Sequence, residues 1–141
     1  MKRNVLIVLS LCIGLLAASI PVLAHHAIAA EFDSTKPIKF EGTVKTIDWM
    51  NPHIYVNIET QEAGKTVVYS VEGGPPNALY RRGFTRDSLP LGIEIVVEGF
   101  RAKDGSMRGN GRDLTFPDGR KLFLGSSGTG APLDGKGGKD R

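Results

Sequence analysis

The chain has a single cysteine, Cys12, and it lies in an apolar stretch near the start, so the body of the protein has no disulfide framework and no thiol chemistry. No Gly-x-Ser-x-Gly elbow and no metalloprotease helix occurs, and Glu31, Asp33 and Asp48 are acids without a recognisable partner pattern. No extended substrate platform is visible either, so the expectation is a protein that is not an enzyme. Histidine is scarce, with three in the whole chain, and all three fall in two places. Charge is nearly balanced. The formal excess of +3 includes Lys2 and Arg3, and losing them with a leader would leave +1, which gives no support to a general nucleic-acid or anionic-membrane role.

Residues 1–24 have the three parts of a cleavable secretory signal peptide. Lys2 and Arg3 supply a positive start, and Val5 to Ile20 is apolar apart from Ser10, Gly14 and Ser19. Pro21-Val22-Leu23-Ala24 ends the helix and puts Val22 and Ala24 at the −3 and −1 positions of a signal-peptidase site. An uncleaved anchor is the competing reading. The apolar run is shorter than the ~20 residues that usually span a bilayer, and no stop-transfer charges follow it, so no stable membrane insertion is expected after cleavage. Leu11 before Cys12 occupies a position where a lipoprotein signal requires a small residue. Removing 24 of 141 residues leaves 117, enough for one hydrophobic core without cross-links. The implied location is periplasmic.

From Pro37 onward the pattern has period two. Ile38 to Trp49 reads as a first strand with a bulge or change of face near Gly42, Asn51-Pro52 is a turn, and Ile54 to Ile58 alternates again. Ala63-Gly64-Lys65 turns the chain into Thr66–Val71, completing an antiparallel meander. Gly73-Gly74-Pro75-Pro76 breaks the pattern, and Asn77 to Arg82, ended by Gly83, is one short helix. Ile93–Ala102 and Met107–Thr115 are two further strands around Asp104-Gly105, and Arg120–Leu124 is a short sixth after Pro117-Asp118-Gly119. The order of elements predicts an all-β domain over 25–125. It would be a small OB-like Greek-key barrel of five to six strands with one short helix. Residues 126–141 are Gly, Ser, Lys and Asp with little apolar content and read as a disordered tail.

Several blocks carry a family resemblance: His25-His26, Glu31-Phe32-Asp33, Gly42-Thr43-Val44, Trp49-Met50-Asn51-Pro52-His53, Pro76-Asn77-Ala78-Leu79, Arg81-Arg82-Gly83 and Asp118-Gly119-Arg120. From about His25 to Ser127 the chain resembles an uncharacterised family of small exported proteins from Gram-negative bacteria, a domain of unknown function. Phe84 stands where that pattern favours tryptophan. The resemblance implies a periplasmic, non-enzymatic β-barrel and supplies no established activity.

Chemistry is concentrated in two groups. Cleavage after Ala24 gives His25 a free α-amino group beside its imidazole, a bidentate nitrogen pair that a ring from His53 or His26 would complete. Such a set suits Cu(II), which prefers tetragonal nitrogen donors, and the amine titrates near pH 8, so its proton is lost at little cost. The plain alternative makes His25 and His26 solvated terminal residues and His53 a turn residue bonded to the backbone. The second group is Arg81, Arg82 and Arg86, able to fork onto a carboxylate or phosphate, with Trp49 and Tyr55 as stacking faces. The plain alternative there is a helix end offset by arginine and aromatics packed in the core.

The leading expectation is thus a periplasmic binding protein holding copper or another divalent metal through His25, with His26 and His53. The rival is a metal-free module for a small anionic ligand, a glycan or a periplasmic protein partner; nucleic acid is not an expected partner in either. N-terminal sequencing of exported protein is expected to begin His25-His26-Ala27; any other start removes the chelate.

Overall fold

The computed structural model describes residues 29–125; the leader expected at 1–24, His25, His26 and the tail at 126–141 lie outside that range. Residues 29–31 are helical. Six strands follow: β1 (Phe32–Asp48), β2 (Tyr55–Glu62), β3 (Lys65–Glu72), β4 (Glu94–Ala102), β5 (Arg108–Thr115) and β6 (Lys121–Phe123). A short helix, α1 (Pro76–Arg81), and a 3₁₀ turn at Arg86–Ser88 lie between β3 and β4.

β1 decides the shape. Its first part, Phe32 to Thr43, pairs with β4, and its last part, Thr43 to Asp48, pairs with β2. One strand serving two neighbours must coil at the changeover, and Gly42 sits there. A Cβ at Gly42 would lie 2.5 Å from the Glu59 carbonyl oxygen and 2.7 Å from Ile58 Cγ2, so no side chain fits. The bulge expected near Gly42 is found instead between Val44 and Thr46, where the register with β2 shifts.

β1 also begins at Phe32, ahead of the expected Ile38. Asp33 and Pro37 pair with the consecutive residues Arg101 and Phe100, which leaves Ser34–Lys36 looped out. The Asp33 carboxylate holds that loop, accepting from the Thr35 backbone N–H at 3.0 Å and from its hydroxyl at 2.6 Å. Polar residues in a bulge hide the strand from any period-two reading.

β1, β2 and β3 form the expected antiparallel meander. β4 returns to lie beside β1, giving the spatial order 4-1-2-3 of a Greek key. β5 then pairs antiparallel with β4 and parallel with β3, through Ser70–Glu72 and Arg108–Asn110. The pairings close a barrel-like ring, β1-β2-β3-β5-β4, with β6 appended to β5: the all-β, OB-like arrangement expected, with the six-residue α1 in the β3–β4 connection. The turn glycines Gly64, Gly83, Gly105 and Gly119 adopt positive φ, each at an expected turn or helix end.

Inward positions of the strands make the core: Val44, Ile54, Val56, Ile58, Tyr69, Val71, Ile95, Val97 and Leu114. Leu79, Phe84 and Leu89 join it from the helical connection, each 1% exposed or less. Six residues are too few for a helix to persist alone in water, so burial of Leu79, worth about 1.5–3 kcal/mol, holds α1 in place. Gly42→Ala is expected to cost about 1–3 kcal/mol, because backbone rather than a flexible side chain meets the new methyl. Urea unfolding checks this: the midpoint should fall at constant slope, and an unchanged midpoint would refute the close-approach role.

Candidate functional site

His53 follows the Asn51–Pro52 bond, which is cis, and precedes the fully buried Ile54. Ile54 extends the β2–β3 ladder past its formal end: its carbonyl accepts from the Gly73 N–H at 2.9 Å and its own N–H donates to the Gly74 carbonyl at 3.3 Å. This pins His53 beside the end of β3. Val71 is wholly buried in the core, so the next residue, Glu72, lies on the outer face of the ring. There His53 Nδ1 lies 2.8 Å from Glu72 Oε1.

The two side chains differ in environment, with 25% of His53 and 7% of Glu72 exposed. An ionised carboxylate only accepts, so it fixes the neutral ring as the tautomer with hydrogen on Nδ1 and leaves the Nε2 lone pair uncommitted. Burial, the largest influence, pushes the Glu72 carboxyl above the usual carboxylate range, and His53 partly offsets it. Glu31 pushes it further up, whereas Arg108 and a hydrogen bond with Tyr55 pull it down. Burial, followed by the charge of Glu72, raises the Tyr55 hydroxyl above its ordinary range.

A further member comes from β5. Asn110 lies opposite Glu72 in the parallel pairing. A Cβ on its neighbour Gly111 would meet core atoms of Leu124 and Val71, so Asn110 projects to the other face, the one Glu72 occupies. It is 3% exposed, and its buried Oδ1 has no hydrogen-bond partner among the described residues. Among the described residues no set of three histidine, cysteine or acidic side chains is gathered closely enough to hold a metal ion, so an ion on His53 requires donors beyond them.

Residues 13–111 match the family described as "Family of unknown function (DUF6152)". The chain belongs to that family. The matched range contains His25, His26 and the whole His53, Glu72, Asn110 and Arg108 group, and ends within β5. No curated protein and no solved structure matches the chain.

The other expected site residues are scattered over the domain. Tyr55 joins the Glu72 group. Trp49 is partly buried and packs on Phe84 with ring centroids 5.6 Å apart, against the core. Arg82 donates to the Gly125 carbonyl at 2.8 Å and covers the Phe123 ring at 5.3 Å, and Arg86 donates to the Trp49 carbonyl at 3.3 Å. Arg81 is exposed on α1. Thus Arg82 and Arg86 are tied to separate parts of the chain. Glu72, Asn110 and Arg108 are not singled out by the sequence, and Glu31 stands there as an acid without a partner pattern. Counting outward from the Ala63-Gly64 turn places Tyr55 opposite Glu72, and that register was the available signal.

The raised Glu72 carboxyl fixes the sign of a pH effect. A group whose pKa is higher folded than unfolded gives stability that is present below its ordinary value of 4.5 and lost as pH rises through the folded value. Glu72→Gln retains an acceptor for Nδ1–H but cannot ionise. The stability of the native protein relative to this variant should therefore fall from pH 4.5 upward; parallel urea-unfolding profiles from pH 4 to 8 would contradict the assignment.

Proposed function

We propose that this is an exported, periplasmic metal-binding domain whose site joins the mature N-terminus to His53, with Cu(II) the ion its donors suit best. The observation that carries the reading is the 2.8 Å contact between His53 Nδ1 and the buried Glu72. Metal-ligating histidines characteristically donate their second ring N–H to a carboxylate, which fixes the tautomer and makes the free nitrogen more basic. The uncommitted Nε2 would be the ligating atom.

Two further observations support it. The described chain begins near this group, since Glu31 accepts from Arg108, which lies two residues before Asn110 on β5. His25 lies six positions ahead of Glu31, a reach of about 9 Å as helix or about 20 Å extended. The long return along β1 that an Ile38 start would have required is unnecessary. Asn110 Oδ1, without a partner among the described residues, is an acceptor suited to a donor carried by a bound ligand, such as a metal-held water. His25 would supply the amine and ring nitrogens, with His26 the alternative second ring.

The rival reading, an interaction module for an anionic ligand or protein partner, draws on the α1 side. Tyr80 is 68% exposed next to the exposed Arg81, and a groove of about 580 Å³ is lined by Ile47, Arg86, Leu89 and Leu91. Cu(II) titration of tag-free mature protein separates the two. His25→Ala and His53→Ala should each weaken binding at least tenfold or so, as loss of a ligand or its support does in metal sites, while Arg81→Ala binds as the native protein does. Equal weak binding by all four proteins would exclude the metal site.

A further inference from the structure

β4 accompanies β1 only as far as Thr43, which pairs with Glu94. Two backbone bonds follow: the Val44 N–H donates to the Ile93 carbonyl at 3.0 Å, and the Gly92 N–H donates to the Val44 carbonyl at 2.7 Å. The next link from this edge of β1 comes beyond its end, where Arg86 Nη2 donates to the Trp49 carbonyl at 3.3 Å. Between these two ties a groove of about 580 Å³ opens, and its walls include Ile47, Leu89 and Pro90 together with Arg86 and Asp87.

Leu89 is 1% exposed and Ile47 packs against the core, so the apolar walls belong to the packed domain. Leu91 also lines the groove yet is 65% exposed. A single exposed leucine is ordinary, but one beside an apolar groove puts a knob and a hole on one surface. Arg86 and Asp87 are neighbours of opposite charge, and among the described residues neither has an ion-pair partner. Reciprocal bonding between Thr85 and Ser88 fixes the 3₁₀ turn that carries both.

We infer that this groove is the face through which two copies of the chain pair about a two-fold axis, Leu91 of each entering the groove of the other and Arg86 of each meeting the other's Asp87. A two-fold contact requires a surface complementary to itself. Adjacent opposite charges meet that condition, because the rotation sets each against its opposite. A partner carrying charge of one sign would be attracted by one of these residues and repelled by the other. The knob beside its own hole is self-complementary in the same way. The groove shares no residue with the His53, Glu72 and Asn110 group, so the inference goes beyond the metal-binding reading and does not rest on it.

A face of this extent belongs with the weak interfaces of less than about 1,200 Å². Sedimentation equilibrium of tag-free mature protein in chelating buffer tests it. The native protein should pass from monomer to dimer with a midpoint of roughly 100 µM, within a range followed to about 1 mM. Leu91→Asp alters an exposed position, so it should keep the native Tm while raising that midpoint about tenfold or more. Arg86→Asp and Asp87→Arg should each raise it similarly by setting like charges together, and the two combined should return it to within about threefold of native. A native protein that stays monomeric throughout overturns the inference. So does a dimer that Leu91→Asp leaves unchanged, or a folded combined variant that pairs no better than the single ones. No metal enters these measurements, so their failure leaves the metal reading standing.

Discussion

Closure of the ring by one short parallel pairing is the constraint from which the rest follows. Ser70–Glu72 and Arg108–Asn110 are the only stretches through which β3 and β5 meet, and without them the sheet would be an open six-stranded array. To let the strands approach, β5 carries glycine at 109 and 111, where a Cβ would come within 2.7 Å of Ile38, Leu124 and Val71 side chains. Alternation then forces Arg108 and Asn110 to the outer face, and the equivalent step on β3 puts Glu72 there. Three polar side chains are gathered on one patch because a seam had to close underneath them.

A carboxylate at such a seam meets an electrostatic problem. Glu72 is almost wholly removed from water, and an isolated buried charge is strongly disfavoured. The answer is a partner from the Asn51–Pro52–His53 turn, brought into reach because Ile54 is locked between Gly73 and Gly74. Gly73 has no alternative there, since a Cβ would sit 2.9 Å from both Ile54 Cγ1 and Leu124 Cγ. The contact is poor evidence of stability, because buried polar pairs often do no better than apolar packing. It is more informative about orientation: a ring held at one nitrogen presents the other in a fixed direction.

Much of the fold was legible in the chain because alternation and turn chemistry agree: Ala63-Gly64, Asp104-Gly105 and Asp118-Gly119 sit where strands end, and Gly83 closes α1. β1 was shortened in that reading because Ser34–Lys36 bulge away from β4, and a bulge has no periodicity to detect. The site was half legible. His53 stood out by residue type and Tyr55 by its place beside the turn, but Glu72 reads as an ordinary solvated outward residue of an alternating strand. Its burial is tertiary, produced by a turn from one hairpin and a strand some forty residues later. Arg82 and Arg86 show the opposite case. Their charges suggested a ligand, yet their guanidinium groups bond backbone carbonyls of Gly125 and Trp49 and serve the packing of the connection.

The same geometry bears on why a terminal chelate would use this patch. A tether from Glu31 is about half as long as one from Ile38, but halving a flexible tether changes its closure cost by only about 0.6 kcal/mol. Length alone therefore explains little. Direction matters more, because a segment attached across the ring would start away from His53, whereas one leaving from Glu31 starts at Arg108, two residues before Asn110 on the closing strand. In the proposed site, an anchored start and an oriented ring would reduce the freedom that an ion has to remove, and preorganisation of that kind is where affinity is gained without adding a ligand.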